Sequence, residues 1–454
     1  MTMFGSQWLA NPDTGYTIDQ SIRFNKSASG SMSRTFGTPT DRNKFTYAFW
    51  MKACSESNGY CLETNVSGTS GTSFSGMVMN GGSMQFFDYT GGSANIDVRT
   101  TFTSAIGKFR DYTAWYHAMF VYDSDQSTDS DRLKFFVNGR QFPVSDLNGP
   151  GGGSVEWPTS GENSRFNASG TVHRISSSVN GLVDGYMADI YFIDGQALTP
   201  SSFGEFSSTT GEFVPIEYSG AFGNNGFYID GRDSSDLGDD ESGNGNDFST
   251  SNMGTDDQVT DSPTNNFSIF NKLGSCNVSG QALTLSDGNL RSSASGTTNA
   301  IEAVGTIAAT TGKYYAEFTL NAAPQLSNQY PAIGVIGIDL NITGGNNLSD
   351  SSFFGFLPNG NKANGSSTSS YGDTYGNGDI IGIALDLDNQ KIYFSKNGTY
   401  QASGDPAAGS NAAFTNLVAG TQYRFCVSHA GSSATDVSMN AGQLPFNTAA
   451  PTGF

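Results

Sequence analysis

Two groups of aspartates are the residues whose type and spacing best suit chemistry, and that chemistry is the binding of a hard cation. Asp123, Asp125, Asp129 and Asp131 share one polar loop. The second group lies in a Gly- and Ser-rich stretch and consists of Asp230, Asp233, Asp236, Asp239 and Asp240. Calcium takes about six to eight oxygen ligands from carboxylates and carbonyls. Each group is therefore a candidate Ca²⁺ site, with a solvated acidic loop as the alternative, since neither has the terminal glutamate of an EF-hand. No motif requires any other cofactor.

The residues that usually carry enzyme chemistry are few and scattered. The three histidines are His117, His173 and His429, and they lie far apart in the chain. The Gly-x-Ser-x-Gly, His-Glu-x-x-His and Gly-x-x-x-x-Gly-Lys motifs are absent. A glycosidase would need two carboxylates close together on one strand or on facing strands, yet no glutamate is followed two residues later by an aspartate. We therefore expect a protein that is not an enzyme.

Aromatic residues in polar loops are the other candidates, because an exposed ring can stack on a sugar or anchor a protein partner. The loop 361–378 has the Gly-, Ser- and Asn-rich composition of adaptable recognition loops. The candidate residues for binding a glycan or a partner are Tyr371, Tyr375, Trp157 and Tyr330, and Tyr60 is a further aromatic of this kind. The alternative for each of them is an ordinary core or turn residue.

Short β-strands are the elements that would position these residues. The chain contains 57 Gly, 33 Phe and 19 Tyr, and only 14% of its residues are charged. Such a composition favours strands and turns over helices. Alternating or continuous apolar residues predict these main strands: 21–24, 45–52, 115–122, 132–137, 184–193, 313–320, 332–338, 379–386, 391–394 and 423–428. The predicted fold class is all-β, with two β-sandwiches in tandem. Thr199 and Pro200 predict one short helix at 200–206.

The charge of the chain argues against two kinds of partner. Its 22 basic and 42 acidic residues give a net charge of −20. We expect no nucleic-acid partner, because that affinity depends on Lys and Arg contacts to phosphates. A run of about 18 apolar residues is also missing, so we expect no insertion into a membrane. No secretory signal peptide is recognisable at the N-terminus.

Four cysteines are too few for a scaffold held together by disulfides. Cys54 and Cys61 flank a polar loop and could form a bridge across it. Cys276 and Cys426 lie on a candidate first strand and a late strand of the second sandwich, so a bridge between them is also open. The alternative for both pairs is burial as small apolar residues.

Changes in composition divide the chain into four parts. Residues 1–20 are polar and aromatic, and we interpret them as an N-terminal arm. The two sandwiches are assigned to 21–210 and 269–454. Between them, 211–268 is rich in Gly, Asp, Ser and Asn and is interpreted as an acidic connection. Part of it, through residues 227–229, is expected to pack back on the first sandwich.

The first sandwich resembles the laminin G, or concanavalin A-like, jelly roll. The resemblance covers about residues 20–210 and rests on 45–52, 115–117, 133–139 and, above all, 184–199. That last segment looks like the closing strand of the family, which runs into a short helix. The resemblance implies binding of glycans or proteins, which laminin G domains often perform with calcium.

The second sandwich resembles the SPRY (B30.2-type) domain over about residues 270–440. The resemblance rests mainly on 378–389 followed by 392–398, and 312–318 fits it as well. It implies binding of a protein partner through loops. Because the binding loops of the family have no fixed motif, no binding residue is transferred to this sequence.

The order of the two domains is similar to that in structural or fibre proteins of marine tailed phages. The resemblance implies a virion protein, made in the host cytoplasm and displayed in a tail fibre or similar appendage. It would bind a host surface glycan or protein through its sandwich loops, contact other virion proteins through residues 1–20, and form a homo-oligomer, with a trimer favoured. The alternatives are a capsid-surface fibre or decoration protein that mainly contacts virion proteins and, less favoured, a secreted adhesin or glycan-active enzyme.

Overall fold

The structure, a computed structural model, describes residues 15–55, 59–65, 73–80, 83–100, 111, 114–177, 179–272, 283–295, 297–322, 329–338, 351–431 and 434–454. The chain forms two compact units; the first extends to Asn266 and the second continues from Phe267 to Phe454. In these ranges the helices are short 3-10 turns, and none is long and apolar enough to cross a membrane. The predicted all-β class, with two sandwiches in tandem, is confirmed.

The strands of the first unit are β1 Ser21–Phe24, β2 Ser31–Thr35, β3 Lys44–Ala53, β4 Gly59–Asn65, β5 Phe74–Asn80, β6 Ser83–Thr90, β7 Ser93–Thr100, β8 Tyr116–Asp123, β9 Leu133–Val137, β10 Arg140–Gln141, β11 Leu147–Asn148, β12 Val172–Ile175, β13 Gly185–Asp194, β14 Gly204–Phe206, β15 Phe213–Pro215, β16 Phe227–Ile229, β17 Ser249–Ser251 and β18 Gln258–Val259. Its 3-10 turns are Lys26–Ala28, Asp129–Asp131, Val144–Asp146, Pro150–Gly152, Pro200–Ser202 and Thr255–Asp257.

Two antiparallel sheets enclose the core of the first unit. Sheet A has the order β10-β9-β8-β3-β13-β1-β18, with β16 also paired to β13; sheet B has the order β11-β7-β6-β5-β4-β12-β2-β17. Phe45, Tyr47 and Phe49 of β3 enter the core, whereas Ala48 packs on the opposite face of sheet A. Phe86 of sheet B packs in the same core. The two-residue period of the strands thus sorts the side chains between the faces.

The acidic stretch predicted as a connection is, up to Asn266, an integral part of the first unit, so that prediction was wrong. β16 pairs with β13, β17 with β2, and β18 with β1. Hydrogen bonds from the backbone to acidic side chains hold this polar segment in its conformation. The Asp240 carboxylate, for example, accepts hydrogen bonds from the backbone N–H groups of Tyr228 (2.9 Å), Ser242 (2.9 Å) and Asn246 (2.8 Å). Short polar side chains that bond nearby backbone groups replace apolar burial here.

Two other predictions at the margins of the first unit need correction. Residues 1–14 lie outside the described residues, but the end of the predicted arm is packed on the unit: Ile18 is buried, and its N–H donates to Thr264 Oγ1 at 2.9 Å. The predicted helix 200–206 is only the 3-10 turn Pro200–Ser202. Its second half forms β14, whose backbone groups pair with β15.

The strands of the second unit are β19 Thr284–Ser286, β20 Arg291–Ala294, β21 Thr297–Val304, β22 Lys313–Ala322, β23 Ala332–Gly337, β24 Phe353–Phe356, β25 Asn361–Asn364, β26 Ser367–Ser370, β27 Ile380–Asp386, β28 Lys391–Lys396, β29 Thr399–Tyr400, β30 Tyr423–Gly431 and β31 Thr435–Asn440, with a 3-10 turn at Gln401–Ser403. Sheet C has the order β19-β20-β31-β22-β27-β28-β29, and sheet D has the order β21-β30-β23-β24-β25-β26. Ile383 of sheet C and Phe354 of sheet D share one core.

The segment after β31 covers the outer face of sheet C. Glu317 of β22 accepts hydrogen bonds from the backbone N–H groups of Asn447 (2.8 Å) and Thr448 (2.9 Å) and from the Thr448 hydroxyl (2.7 Å). Phe446 packs edge-on against Tyr315, with ring centroids 4.8 Å apart. One buried carboxylate thus fixes the C-terminal segment to the sandwich.

The cysteines that the structure describes carry thiols rather than disulfide bridges. Cys54, Cys61 and Cys426 are buried, and burial raises the pKa of each thiol. No bridge joins Cys54 to Cys61, whose sulfur instead packs beside the Met51 sulfur at 4.0 Å in the core. Cys276, the partner considered for Cys426, lies outside the described residues.

Candidate functional site

The four aspartates of the predicted calcium loop do not converge on a common point. Asp125 pairs with Lys44 at 2.7 Å, Asp129 with Arg132 at 2.8 Å and Asp131 with Lys134 at 3.0 Å. Asp123 is buried and accepts a hydrogen bond from Gln126 Nε2 at 2.7 Å. Across the part of the chain that the structure describes, no three His, Cys, Asp or Glu side chains are placed to hold a metal ion. The basic neighbours therefore take the oxygens that a cation would need.

The aromatic candidates of the second unit are mostly packed into it. Tyr375 is fully buried, and its hydroxyl donates to the carbonyls of Pro331 (2.9 Å) and Phe356 (2.7 Å), so its prediction as an exposed binding residue was wrong. Tyr371 is partly buried, and burial raises its pKa to about 12. Tyr330 is also partly buried, packed against the outer side of sheet D. These three residues do not form one surface.

Trp157, the candidate of the first unit, is partly buried against the core between the sheets. The three histidines are buried as well: burial lowers the pKa of His117 and His173 to about 3 and that of His429 to about 4. Rings this deeply placed act as packing and hydrogen-bonding groups. The sites singled out in the sequence thus remain separate from one another.

An aromatic face on the outer side of sheet B is a more coherent site. It is defined by Tyr60 of β4, Phe74 of β5, and Phe87 and Tyr89 of β6. Phe74 lies edge-on to Phe87 at 5.2 Å between ring centroids and stacks on Tyr89 at 6.0 Å. Phe87 contacts Tyr60 at 6.1 Å and Tyr89 at 5.2 Å. Phe87 is buried beneath the other three rings, which are partly buried.

Strand register explains why these rings meet on one face. Phe74 is directly opposite Tyr89, and Phe87 is directly opposite Gly76. A Cβ atom at Gly76 would lie 2.5 Å from the Phe87 ring and 2.9 Å from the Tyr60 ring. Because real Cβ contacts are never that short, only glycine at this position lets both rings lie across β5. The core-facing neighbours on β5, such as Met77, belong to the other side of the sheet.

An ion pair with fixed hydrogen bonds borders the aromatic face on the β7 side. Asp97 is buried, and Arg99 Nε and Nη2 donate to its two oxygens at 2.8 and 2.6 Å. The Tyr89 hydroxyl donates to Asp97 Oδ2 at 2.5 Å, and Gln85 Nε2 donates to Oδ1 at 3.0 Å. Hydrogen bonding to Asp97 raises the pKa of Arg99. The guanidinium, one-third exposed, is thus held at the edge of the rings.

A second ion pair borders the face on the β4 side. Glu63 is fully buried and accepts a hydrogen bond from Asn180 Nδ2 at 2.8 Å. Its Oε1 lies 3.5 Å from Arg174 Nη1, and within the described residues neither of these two atoms has a hydrogen-bond partner. Burial, with the nearby Glu63 charge, raises the pKa of Tyr60 to about 12. Within the described residues, the β4 border therefore contains one acceptor, Glu63 Oε1, and one donor, Arg174 Nη1, that form no hydrogen bond.

The two buried carboxylates are too far apart to act as a glycosidase pair. Asp97, Phe87, Gly76 and Glu63 are consecutive cross-strand partners on β7, β6, β5 and β4. Three strand spacings separate the two carboxylates by about 14 Å. Glycosidase pairs lie about 5–9.5 Å apart. The arrangement suits binding of a flat, hydroxyl-bearing ligand across the strands.

Tyr60 is the one residue of this face that was predicted as a candidate from the sequence. Phe74, Phe87 and Tyr89 were missed because their strands contain Gly, Ser, Met and Asn rather than β-branched residues. The sequence signal that could have identified this face is the alternation along β6. Gln85, Phe87 and Tyr89 lie on one face of the strand, and Met84, Phe86 and Asp88 lie on the other.

Comparisons with protein-family models agree with this architecture. Residues 26–199 match the model described as Concanavalin A-like lectin/glucanases superfamily, and residues 313–443 match the SPRY domain. A search among curated proteins gave no match.

Two solved structures are similar to parts of the chain. The SPRY domain of human HERC1 is 19% identical, with 39% of this chain and 99% of that chain covered and a TM-score of 0.31. The stonustoxin structure is 14% identical, with 35% of this chain and 25% of that chain covered and a TM-score of 0.26.

The fold and the family models define the class of the protein as a tandem of two all-β sandwiches. The chain carries a concanavalin A-like domain followed by a SPRY domain.

Proposed function

We propose that this chain is a non-enzymatic attachment protein that binds carbohydrate on the aromatic face of sheet B. The observation that carries the proposal is the cluster of four rings, three of them only partly buried, between two charged borders. Aromatic rings offer large apolar faces with little conformational freedom to lose. Sugar rings have apolar faces of matching size, so stacking would provide the affinity.

The borders of the aromatic face would supply the orientation of the sugar. Arg99 is fixed by its hydrogen bonds to Asp97, and Arg174 lies 3.5 Å from the Glu63 carboxylate, so each border carries a charged side chain, and that of Arg99 is already held in place. Groups that are ordered before binding lose little entropy when the ligand arrives. Because each arginine is paired with a carboxylate, the face as a whole favours neutral sugars over strongly charged ones.

We further propose that the protein belongs to a bacteriophage particle, as a tail fibre or similar appendage that contacts the host surface. Support comes from the tandem order of the two domains and from the acidic charge of −20, which opposes non-specific association. The second candidate is a capsid-surface decoration protein whose second unit contacts other virion proteins. Support for it is the SPRY domain, since loops on such sandwiches suit protein partners.

The ring of Phe74 provides a direct test of the carbohydrate proposal. Phe74→Ala is expected to weaken glycan binding about tenfold or more, because losing one stacked ring costs about 1.4 kcal/mol or more of binding free energy. Phe206→Ala is the matched control, since Phe206 is 48% exposed on the same unit but belongs to β14. The wild-type chain is first screened on a glycan array, and the affinities of both variants for a hit are then measured by calorimetry.

Equal affinity of Phe74→Ala and the wild type would place binding elsewhere, and equal losses in both variants would indicate a general effect on folding. Labelling the C-terminus and imaging particles distinguishes an appendage from a decoration protein. A label on the head surface, with binding only to particles that lack this chain, would favour decoration.

A further inference from the structure

A buried lysine, a buried aspartate and an asparagine meet in the first unit, away from the aromatic face. Lys52 extends from β3, and neither its side chain nor that of Asp261 has any exposed surface. Lys52 Nζ lies 2.7 Å from Asp261 Oδ2 and 2.5 Å from Asn266 Oδ1. Trp115 Nε1 donates to the other Asp261 oxygen at 3.1 Å. An ion pair needs only Lys52 and Asp261, so the side-chain amide of Asn266 is a third polar group placed at the lysine.

We propose that Lys52 and Asn266 become joined by an amide bond that the folded protein forms by itself, with Asp261 as the residue that transfers the protons. The product is an isopeptide cross-link within the first unit, and ammonia is the only molecule released.

The first requirement is an amine that can pass its proton to a carboxylate, and the contact of Lys52 Nζ with Asp261 Oδ2 places the two groups together. The Lys52 and Asp261 side chains have no exposed surface, so their ion pair carries a large desolvation cost, which falls when the proton moves from the ammonium to the carboxylate. The Lys52 amine then has a free electron pair, and a lysine amine freed of its proton in an apolar pocket is a competent nucleophile. The Tyr186 ring, 5.7 Å from Nζ, and the Trp115 indole form part of the wall of this pocket.

Distance provides the second requirement. A carbonyl C=O bond is about 1.2 Å long, so the amide carbon of Asn266 lies no more than about 3.7 Å from Lys52 Nζ. Reacting atoms that are held about 3–3.5 Å apart gain most of the advantage of an intramolecular reaction. The fold therefore holds the nucleophile and the carbonyl close to a reactive separation.

The atoms and protons of the reaction balance without a co-reactant. Lys52 passes one proton to the Asp261 carboxylate, and its nitrogen then attacks the Asn266 side-chain carbon to form a C–N bond. The second amine proton and the proton held by Asp261 end on the amide nitrogen of Asn266. The bond from that nitrogen to carbon breaks, the ammonia leaves in its protonated form as an ammonium ion, and Asp261 returns to its starting carboxylate. No group is oxidised or reduced.

The neighbouring thiol does not compete in this reaction. Cys54 is buried nearby, and burial raises its pKa well above the usual value, so it stays protonated. A second trio of the same residue types occurs on the surface: Lys44 pairs with Asp125 at 2.7 Å, and Asn43 Nδ2 donates to Asp125 at 3.3 Å. Lys44 is 33% exposed, so water keeps it charged. The surface trio therefore serves as an internal control.

The position of the bond suggests its use. Lys52 lies on β3 in the middle of sheet A, and Asn266 is the last residue of the first unit. The cross-link would close the chain between them into a covalent loop, and such closure limits the unfolded state. A pulling force applied to the chain beyond Asn266 would then reach the centre of the sandwich without unravelling β16 to β18.

Mass spectrometry of the purified full-length chain tests the proposal. We expect an intact mass below the sequence mass by one ammonia, and a tryptic product in which residues 45–99 and 233–272 are joined because cleavage after Lys52 is lost. Asp261→Asn and Lys52→Ala should restore the sequence mass. Asn266→Ala should do so too while keeping the Lys52–Asp261 pair, so it reports on the bond even if the other variants fold poorly. Lys44→Ala should keep the ammonia loss.

Three results would overturn the proposal. A folded wild-type chain with the full sequence mass means that no bond forms. Loss of ammonia with separate peptides 45–52, 53–99 and 233–272 means cyclisation at an asparagine elsewhere. A joined product that persists in Asn266→Ala means that another residue is the partner of Lys52.

Discussion

Asp194→Ala is expected to lower the free energy of unfolding of the first unit by about 3–5 kcal/mol, because it leaves two buried and two partly buried donors without their acceptor. Asp194 ends β13 and is 1% exposed. Its carboxylate accepts from the backbone N–H groups of Thr40 (2.7 Å), Asp41 (3.2 Å) and Asn225 (3.0 Å), and from the Asn167 side-chain amide. Three separate loops thus depend on one side chain.

Tryptophan fluorescence in a denaturant titration measures this loss, because Trp50, Trp115 and Trp157, the tryptophans that the structure describes, all lie in the first unit. Asp125→Ala is the control: Asp125 also accepts hydrogen bonds, from Lys44 and Asn43, but it is exposed, so its removal should leave the midpoint unchanged. An equal shift in both variants, or none in Asp194→Ala, would show that the loops do not depend on this carboxylate.

The long central strands were predictable from the sequence because their apolar residues alternate or run continuously. β3, β8 and β13 of the first unit and β22, β27 and β30 of the second lie within three residues of the predicted limits. These strands are central in their sheets, and burial on one or both faces imposes the apolar pattern on the sequence.

The strands β4 to β7 were missed for a related reason. Their outer side carries glycine and polar residues between the rings, for example Gly76 beside Phe74 and Gln85 beside Phe87. The residue pattern of β5 can be interpreted only when its cross-strand neighbours are known, because the Phe87 ring of β6 occupies the space beside Gly76. Single-strand periodicity does not contain that information.

The acidic segment misled the sequence reasoning because polar composition was equated with a linker. Its stability comes from Asx-type hydrogen bonds such as those of Asp240, and from ion pairs such as that of Arg23 with Asp257 at 3.2 Å. Lys52 and Asp261 are 209 residues apart in the chain. Contacts at such separation leave no local signature in composition or period, so the buried Lys–Asp–Asn group was not predictable.

Glu302→Gln is expected to stabilise the second unit at pH 8 by about 3 kcal/mol, because each unit of pKa shift corresponds to about 1.4 kcal/mol. Glu302 of β21 has no exposed surface, and burial raises its pKa from 4.5 to about 7. Its one hydrogen bond among the described residues comes from the Ser428 hydroxyl to Oε1 at 3.1 Å, and Oε2 has none. Glutamine keeps the Ser428 bond without adding a buried charge.

The pH dependence fixes the sign of this prediction. The folded state holds the Glu302 proton more tightly than the unfolded state, so the stability it contributes is complete below pH 4.5 and is lost as the pH rises through about 7. Wild type and Glu302→Gln should therefore unfold at similar temperatures at pH 4.5 and diverge towards pH 8. Calorimetry would measure the unfolding of the second unit, because the tryptophans that the structure describes lie in the first unit.

Glu317→Gln supplies a control of opposite sign for Glu302→Gln. Burial alone would raise the pKa of Glu317, but hydrogen bonds from Thr448 and Asn447 outweigh it and lower the pKa below 4.5. The charged form is therefore the stabilising one, and its contribution is present at neutral pH and lost on acidification. Glu317→Gln should destabilise the second unit at pH 8, where Glu302→Gln stabilises it. We infer that hydrogen bonding to the carboxylate, and not burial alone, decides whether a buried glutamate of this sandwich is charged. A stability change of the same sign in both variants would contradict this inference.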